Sequence, residues 1–574
     1  MIFTVSGGNA GARITVNTLS EQDGILLLKV EMKMEAEAVP EKFTVGWKMP
    51  CVDSYSVWSP SVRTDRQLGP NWSKRKTQSR LASWMPVHGI ISMNGQNKMT
   101  VAVSDAITPI TIATGVCEED ACIDWCVEFF TVLTAPTAEY SAVVRIDTRD
   151  IPYYDSVYSV SEWWEKDCGY SPAFVPEYAR LPMNSLWYSY HQQLDVEDII
   201  KECRLSKPFG METVIIDDGW QTDDNGRGYA YCGDWEVTPN KIPDMAKFVS
   251  DIHETGMRVI LWYSVPFVGL HSKNFERFKD MLLDETGNNR DFWSLDPRYK
   301  EVRDFLIGIY ADAIRNWDLD GLKLDFIDSF TLHGKSLEYD ARRDYQSLEA
   351  AIDRLMTDIM RTLTAIKPDV MIEFRQSYIG PAIRKYGNML RVGDCPNDAI
   401  MNRQDVINMR LTSGNTPVHS DMLMWHPDDT VESAALQLAS ILYSVPQISV
   451  KIDRLCEEHK KMLKFYLDFW RENRTVLIDG KLTAKAPESV YSQASASKDT
   501  EVICTVYTDR TVHMDYAKKL TVVNAAYEPS VIVKQADRRS FTVLNCMGEE
   551  IESGTVSGML FEITVPTAGM VIIR

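Results

Sequence analysis

Hydrophobic and polar residues alternate in short runs over the first 150 positions. These runs are GILLLKVEMKM, KFTVGWKM, KMTVAVSD, CVEFFTVLT and YSAVVRID, and turn residues separate them. A period of two is typical of strands with one buried face. The pattern predicts an N-terminal antiparallel β-sandwich, which we place at residues 1–175. Residues 151–180 are rich in aromatics and proline, so we expect a linker packed against its neighbours.

The pattern changes after Pro182 to short apolar runs separated by long amphipathic stretches. Eight strand-like runs begin at Asn184, Thr213, Arg258, Gly321, Val370, Asn388, Asn415 and Gln447. Helical periodicity marks the intervening segments 245–256, 299–317, 347–366 and 431–445. This alternation is typical of βα units, and eight of them predict a (β/α)₈ TIM barrel, placed at residues 176–476.

Strand-like alternation returns near the C-terminus. The runs are EVICTVYT, KKLTVVNA, SVIVKQAD, SFTVLNC, LFEITVP and GMVIIR. They predict a C-terminal antiparallel β domain at residues 477–574. The predicted fold is therefore a multidomain α/β protein with a central barrel, and a length of 574 residues fits several domains.

Charge and cysteine content restrict the partners. The formal net charge of −20 argues against nucleic acid, which needs clustered Lys and Arg. No apolar run is long enough to cross a bilayer and no secretory signal opens the sequence, so we expect no membrane partner and a cytoplasmic location. The 11 cysteines include no C-x-x-C pair, and we expect neither a metal nor another cofactor.

Polar side chains close most of the predicted barrel strands, where the active site of this fold lies. They are Asp217, Asp218, Lys323, Asp325, Glu373, Arg375, Arg391, Asp394, His419 and Asp421. A single aspartate there is commonly the N-cap of the next helix, but capping explains one case better than the whole set. His419 and Asp421 on one strand are expected to form hydrogen bonds rather than to bind a metal.

The strand-end carboxylates indicate glycosidic bond cleavage. Lys323 and Asp325 are two positions apart and face the same side of a strand, so the lysine favours the ionised carboxylate of a nucleophile. A second carboxylate, kept protonated by a less polar or like-charged setting, would protonate the leaving oxygen. Tryptophans would supply flat faces for the sugar ring.

Several motifs resemble glycoside hydrolase family 36, the melibiase-type α-galactosidases, over nearly the whole chain. They are IIDDGWQ from Ile215, GDW from Gly233, VILWYS from Val259, SLDPRYKEVRDFL from Ser294 and LKLDFID from Leu322. The resemblance implies a retaining α-glycoside hydrolase, above all an α-galactosidase, that acts by double displacement. It also implies an α-linked oligosaccharide or glycoside as the partner, and it leaves a homo-oligomer possible.

The resemblance assigns roles to residues of this chain. It implies that Asp325 is the nucleophile and that an aspartate after the sixth strand is the general acid/base. We prefer Asp394 to Asp398 because Asp394 follows the strand directly, whereas Asp398 fits a helix cap. The remaining implied contacts are Asp217 and Asp218 at O4 and O6 of a galactose-like ring, Lys323 at its hydroxyls, and Trp187, Trp235 and Trp262 as pocket walls.

One departure from the family affects the expected sugar. The Cys/Ser/Gly-rich signature after the fifth strand is replaced by IEFRQSYIGP, which places Glu373 and Arg375 where small residues would contact the sugar 2-position, with Arg391 nearby. Galactose, N-acetylgalactosamine, glucose and a modified sugar therefore stay open. So do an α-glucosidase, an α-N-acetylgalactosaminidase, a transglycosylase and a non-catalytic carbohydrate-binding barrel. Trp235 and Trp262 could instead fill the core.

Overall fold

The computed structural model describes residues 1–284, 290–514, 516–534 and 537–574. Its N-terminal part is a two-sheet sandwich, with sheet orders β1-β4-β10-β9-β6 and β2-β3-β11-β8-β7-β5. The strands are β1 (Thr4–Gly7), β2 (Arg13–Gln22), β3 (Ile25–Ala38), β4 (Phe43–Pro50), β5 (Ser56–Trp58), β6 (Arg75–Ser79), β7 (Val87–Ile91), β8 (Asn97–Val103), β9 (Ile110–Cys117), β10 (Cys122–Phe129) and β11 (Thr137–Asp147).

Alternating residues of these strands form the sandwich core. In β3, Val30 and Met32 are buried, and Trp47 of β4 stacks on Trp125 of β10 with ring centroids 5.8 Å apart. Every strand pair in both sheets is antiparallel, so the predicted antiparallel sandwich is confirmed.

The predicted linker contains a helix that the aromatic-rich sequence did not indicate. This helix spans Tyr153–Lys166 and buries Tyr153, Val157, Val160 and Trp164. These residues lie three or four positions apart, which gives one apolar helix face. Because that face joins the large core shared with the barrel, the segment is packed, as expected.

The α-helices follow in chain order. They are α1 (Tyr153–Lys166), α2 (Trp187–Tyr190), α3 (Val196–Ser206), α4 (Met245–His253), α5 (Lys273–Phe278), α6 (Lys300–Trp317), α7 (Leu348–Ile366), α8 (Ala399–Arg410), α9 (Val431–Ser440) and α10 (Glu457–Leu477). Helices α4, α6, α7 and α9 coincide with the four segments of predicted helical periodicity.

Ten strands lie between residues 183 and 448. They are β12 (Met183–Ser185), β13 (Thr213–Ile216), β14 (Arg258–Ser264), β15 (Phe267–Gly269), β16 (Phe292–Ser294), β17 (Gly321–Asp325), β18 (Met371–Arg375), β19 (Met389–Arg391), β20 (Val418–His419) and β21 (Gln447–Ile448). All except the β15–β16 hairpin join one parallel sheet, in the order β21-β12-β13-β14-β17-β18-β19-β20.

This sheet forms the barrel. A parallel bridge from His419 to Val445 links β20 to the segment before β21 and nearly closes the ring. Each of the eight predicted strand runs overlaps one barrel strand, so the (β/α)₈ prediction is confirmed. The strands are short and almost wholly buried because helices cover them outside and side chains fill the interior.

The C-terminal part is a second β domain. Its strands are β22 (Lys481–Lys485), β23 (Gln493–Lys498), β24 (Glu501–Val506), β25 (Thr511–His513), β26 (Lys519–Asn524), β27 (Ser530–Lys534), β28 (Arg539–Leu544), β29 (Glu550–Val556), β30 (Leu560–Thr564) and β31 (Met570–Ile573). Most pairs are antiparallel, as predicted, while β24 with β26 and β25 with β27 are parallel. Gln535 and Ala536 of the run SVIVKQAD lie outside the described residues.

The domain limits after residues 175 and 476 stay predictions. Helix α10 ends at Leu477 and β22 begins at Lys481, so the last change of architecture lies between these residues. Within the described ranges, no helix is long and apolar enough to span a membrane.

Candidate active site

A cavity opens at the carboxyl ends of the barrel strands. It is lined by Trp187, Asp217, Asp218, Tyr229, Trp262, Lys323, Asp325, Phe326, Arg375, Arg391 and Asp394. The cavity is small, with about 50 Å³ open to the centre of a water-sized sphere. Nine of the eleven residues predicted from the sequence line this cavity, and Glu373 and Trp235 do not.

Asp325 is the last residue of β17, and its side chain is held by donors on both carboxylate oxygens. Oδ1 accepts hydrogen bonds from Arg375 Nε at 2.7 Å, from the backbone N–H of Phe326 at 2.8 Å and from the Tyr378 hydroxyl. Oδ2 accepts one, from Trp262 Nε1 at 3.0 Å. The carboxylate is therefore fixed in position while Oδ2 keeps a lone pair for a further contact.

The surroundings of Asp325 favour its charged form. Burial opposes ionisation, since the residue is only 6% exposed. The charges of Arg375 and Lys323 and the hydrogen bonds from Tyr378 and Trp262 outweigh burial, and they hold the pKa of Asp325 well below its usual range. An ionised carboxylate at the base of the cavity is the state that a nucleophile requires.

Asp217 and Asp218 follow β13 directly and enter the same cavity. Lys323 Nζ donates to Asp217 Oδ2 at 2.6 Å, and both side chains are buried. Asp218 accepts from Gln192 Nε2 at 2.7 Å and Gln221 Nε2 at 2.6 Å. Burial and the charge of Asp217 raise the pKa of Asp218 to about 6, although both glutamines favour its charged form.

Asp394 lies across the cavity on the loop after β19. Its side chain is 49% exposed, and Oδ1 accepts from Arg391 Nη2 at 2.9 Å. Partial desolvation raises the pKa of Asp394, but the charges of Arg391, Lys323 and Arg375 outweigh this effect and lower it. Cations therefore dominate the surroundings of Asp394 in the described site. The sequence had led us to expect a less polar or like-charged setting, which would keep the acid protonated.

Glu373 does not line the cavity. Its Cα pairs in register with Lys323 on β17 and Met389 on β19, whereas Arg375 is level with Arg391. The Glu373 side chain is fully buried, accepts from Gln447 Nε2 at 2.5 Å and has its pKa raised by burial. Its expected contact with substrate stays a prediction.

Trp235 also lies behind the cavity wall. Its indole ring is 5.9 Å from that of Trp220 and 6.0 Å from that of Trp262, between centroids, and the residue is buried. Trp235 is therefore packed in the core and does not line the cavity, and its role as a pocket wall stays a prediction. Trp262, by contrast, reaches the cavity and Asp325.

Sequence reasoning missed several residues at or beside the cavity. Tyr229 and Phe326 line it, Tyr378 binds the Asp325 carboxylate, and Tyr188 donates to Asp421. Tyr229 and Tyr378 lie in loops, where strand parity gives no signal. Phe326 directly follows Asp325 in the sequence, but nothing in the sequence indicated its left-handed backbone conformation (φ 65°).

Two other expectations concern capping and metals. Asp398 is the N-cap of α8 and accepts from the backbone N–H of Met401 at 2.9 Å, as its spacing suggested. His419 is buried against the carbonyl of Ala179 at 2.9 Å. In the part of the chain that the structure covers, no group of three or more His, Cys, Asp or Glu side chains could hold a metal ion.

Comparison with known proteins adds to this geometry. The Melibiase family model matches residues 180–407, which include both Asp325 and Asp394. Alpha-galactosidase Mel36A of Lactobacillus acidophilus is 27% identical over 179 residues, which are 29% of this chain and 23% of that protein. These matches support a melibiase-type family, glycoside hydrolase family 36, for this chain. A galactosaminidase of Flavonifractor plautii, named for A type blood alpha-D-galactosamine, is 24% identical over 135 residues, 21% of this chain and 12% of that protein.

Solved structures extend the likeness in fold to nearly the whole chain. GH36 alpha-galactosidase AgaA from Geobacillus stearothermophilus has a TM-score of 0.67 at 15% identity, covering 98% of this chain and 81% of that one. AgaB from the same organism has a TM-score of 0.68 at 15% identity with the same coverage. At such identity the likeness concerns the fold. The sequence match to Mel36A spans about a quarter of that protein's length.

Proposed function

We propose that this chain is a retaining α-glycosidase that removes an α-linked galactose-like residue from the end of an oligosaccharide or glycoside. The observation that carries the proposal is the ionised Asp325 carboxylate in a small open cavity whose lining includes a second carboxylate, Asp394. Two carboxylates flanking one sugar are the machinery of glycoside hydrolysis.

The hydrogen bonds around Asp325 indicate which oxygen attacks. Oδ1 accepts three hydrogen bonds, whereas Oδ2 accepts only that of Trp262 among the described residues. In the first step Oδ2 would form a bond to the anomeric carbon while the glycosidic C–O bond breaks. Arg375 and Tyr378 would keep the carboxylate oriented during this step.

Asp394 would give a proton to the departing oxygen and later take one from the attacking water. Its half-exposed side chain faces the cavity, and Arg391 is its one hydrogen-bond partner among the described residues. Because only protonated Asp394 can give a proton and its pKa is lowered, turnover of substrates with basic leaving groups should decrease as the pH rises. Water attack at the anomeric carbon then releases Asp325 and the sugar with its original configuration.

Two observations support galactose as the sugar: the acidic pair Asp217 and Asp218, and the ligands of similar proteins. Asp217 and Asp218 can accept hydrogen bonds from hydroxyls on one side of the ring, and Lys323 can donate to the same hydroxyls. AgaA variants have been solved in complexes with raffinose and stachyose. We therefore propose an α-galactosyl oligosaccharide as the substrate class. The cytoplasmic location and any homo-oligomer stay predictions.

A substrate screen tests the proposal. Wild type and Asp325→Ala would be assayed on 4-nitrophenyl α- and β-glycosides of galactose, N-acetylgalactosamine and glucose, and on raffinose. Release from the α-galactoside by wild type alone is expected, and NMR should show the α-anomer as the first product. Preference for an α-glucoside or an α-N-acetylgalactosaminide would change the sugar, and silence on every glycoside would favour a carbohydrate-binding barrel.

A further inference from the structure

One buried arginine of the cavity lining, Arg391, is shared between several carboxylates. Arg391 is 1% exposed, and its Nη1 donates to Asp421 Oδ1 at 2.6 Å while Nη2 donates to Asp394 Oδ1 at 2.9 Å. Its Nε lies 3.7 Å from Glu373 Oε1, too far for a hydrogen bond. The cation on which Asp394 depends is therefore divided between at least two partners.

Both carboxylate oxygens of Asp421 accept hydrogen bonds from the protein. Its Oδ1 accepts from Arg391, and its Oδ2 accepts from the backbone N–H of Cys395 at 2.7 Å and the Tyr188 hydroxyl at 2.9 Å. The residue is fully buried and does not line the cavity. Since Cys395 follows Asp394 in the chain, one carboxylate holds both the arginine and the backbone beside Asp394.

We propose that Asp421 is a positioning residue for the general acid/base, and that it raises the proton affinity of Asp394 by competing for Arg391. This inference rests on the proposed function. Without Asp421, the whole guanidinium charge would be available to Asp394, which would then give up its proton more readily. With Asp421 in place, Arg391 keeps a partner when Asp394 is protonated, so the acid form causes little rearrangement.

Other charges also face these two carboxylates. Lys323 and Arg375 act on Asp394 besides Arg391, and all three favour its ionised form. Asp421 faces Arg391 and Asp394, and the neutral Tyr188 hydroxyl and Cys395 amide donate to it. Burial and the charge of Asp394 raise the pKa of Asp421, although its three donors favour the charged form. A carboxylate that accepts from a guanidinium, a backbone N–H and a hydroxyl has the partners of an ionised group, so Asp421 adds negative charge on a side where cations otherwise dominate.

The pH profile separates this role from mere structural support. Loss of support would lower the rate by a similar factor at every pH and for every leaving group. A change in the proton affinity of Asp394 would instead move the alkaline limb of kcat/KM, which reports the acid of the free enzyme. It would also affect basic leaving groups more than nitrophenol.

The test is the pH dependence of kcat/KM for Asp421→Asn, which keeps the shape and removes the charge. We expect the alkaline limb on an α-galactosyl oligosaccharide to move to lower pH by about one unit. Arg391→Gln should move it in the opposite direction, because Asp394 loses its cation. Far-UV circular dichroism and thermal unfolding would show whether each variant is folded. Either folded variant alone tests the predicted direction in which the alkaline limb moves.

Asp405→Asn is the matched control. Asp405 is another buried aspartate on an arginine, paired with Arg63 at 2.7 Å. This control should leave the alkaline limb in place. A folded Asp421→Asn protein with an unmoved limb and an equal loss on all leaving groups would overturn the inference. Absence of turnover by the wild type would instead overturn the proposed function.

Discussion

Asp320 and Asp325 stand at the two ends of one barrel strand, β17, and both are buried aspartates among cations. At the entry of the strand, Asp320 accepts hydrogen bonds from His253 Nε2 at 2.8 Å and Arg258 Nη1 at 2.7 Å. At its exit, Asp325 accepts from Arg375 Nε at 2.7 Å. Burial alone would raise both pKa values. Hydrogen bonds from His253 and the Val259 N–H and the charge of Lys367 lower the pKa of Asp320 to about 2, and the charges of Arg375 and Lys323 lower that of Asp325 further.

The difference between the two residues lies in what their oxygens still face. The Asp320 carboxylate is also bonded to the backbone N–H of Val259 at 2.9 Å and lies 3.3 Å from Lys367 Nζ, and it is away from the cavity. Asp325 lines the cavity with one lightly bonded oxygen. A lowered pKa therefore does not identify a catalytic carboxylate, whereas a lowered pKa at an open strand end does suggest one.

The largest expected effect is at the exit of β17. Asp325→Ala should reduce kcat by about 10⁴-fold or more while the barrel stays folded, because the covalent step has lost its nucleophile. Activity would be measured on 4-nitrophenyl α-galactoside, and folding by circular dichroism. Azide, a small anionic nucleophile, should partly restore turnover and give a β-galactosyl azide. Near-normal activity in the folded variant would refute the assignment.

The second prediction compares two aspartates on the loop after β19. Asp394→Ala should slow raffinose cleavage by about 10²- to 10⁴-fold and nitrophenyl galactoside cleavage much less, because acid assistance matters most for a basic leaving oxygen. The control is Asp398→Ala, which removes only the N-cap of α8. It should cost about 1 kcal/mol of stability and leave kcat nearly unchanged. The reverse ranking would move the acid/base role to Asp398.

The third prediction concerns the entry of β17. Asp320→Asn should lower the free energy of unfolding of the barrel by about 3 kcal/mol, because Arg258 and Lys367 lose their shared buried partner. The activity per folded molecule should not change. Calorimetry and active-site titration would separate the two quantities. A loss of kcat without a loss of thermal stability would contradict the contrast between the strand ends.

The same residue predicts how stability depends on pH. The pKa of Asp320 is lower in the folded chain, about 2, than the value near 3.9 of an unfolded aspartate. Its contribution is therefore complete above about pH 4 and is lost as the pH falls toward 2, by about 2 kcal/mol. Asp320→Asn should show a smaller loss than wild type over this window. Equal slopes would mean that other groups dominate acid unfolding.

The barrel could be predicted from the sequence because its apolar strand runs alternate with segments of helical periodicity. All eight strand runs were found, and strand parity placed Lys323 and Asp325 on one face, as the cavity shows. The alternation of side chains along a strand could not show at which height inside the barrel an inward-facing residue lies. Glu373 has the same inward direction as Arg375 but lies two residues lower, and that height depends on the stagger of neighbouring strands.

The other residues of the site lie in loops, whose conformation hydrophobic periodicity does not predict. Tyr378 reaches Asp325 from a position three residues beyond β18, and Asp421 reaches the Asp394 loop from beyond β20. Helix α1 escaped prediction for a different reason. Its aromatic residues are common to packed linkers and helices, and the nearby prolines masked the three- and four-residue spacing of its apolar face.

The smallest expected effect distinguishes two neighbouring tryptophans. Trp262→Phe removes the Nε1 donor to Asp325 Oδ2, so kcat should fall about tenfold, as expected for a hydrogen bond to a charged group. Trp235→Phe is the matched control, because its Nε1 has no hydrogen-bond partner among the described residues and its ring lies behind Trp262. It should change kcat less than about twofold, since packing changes away from the carboxylate act on stability first. Equal losses of kcat in both variants would mean that the tryptophan cluster supports the site by packing, and that the donor to Asp325 is not what matters.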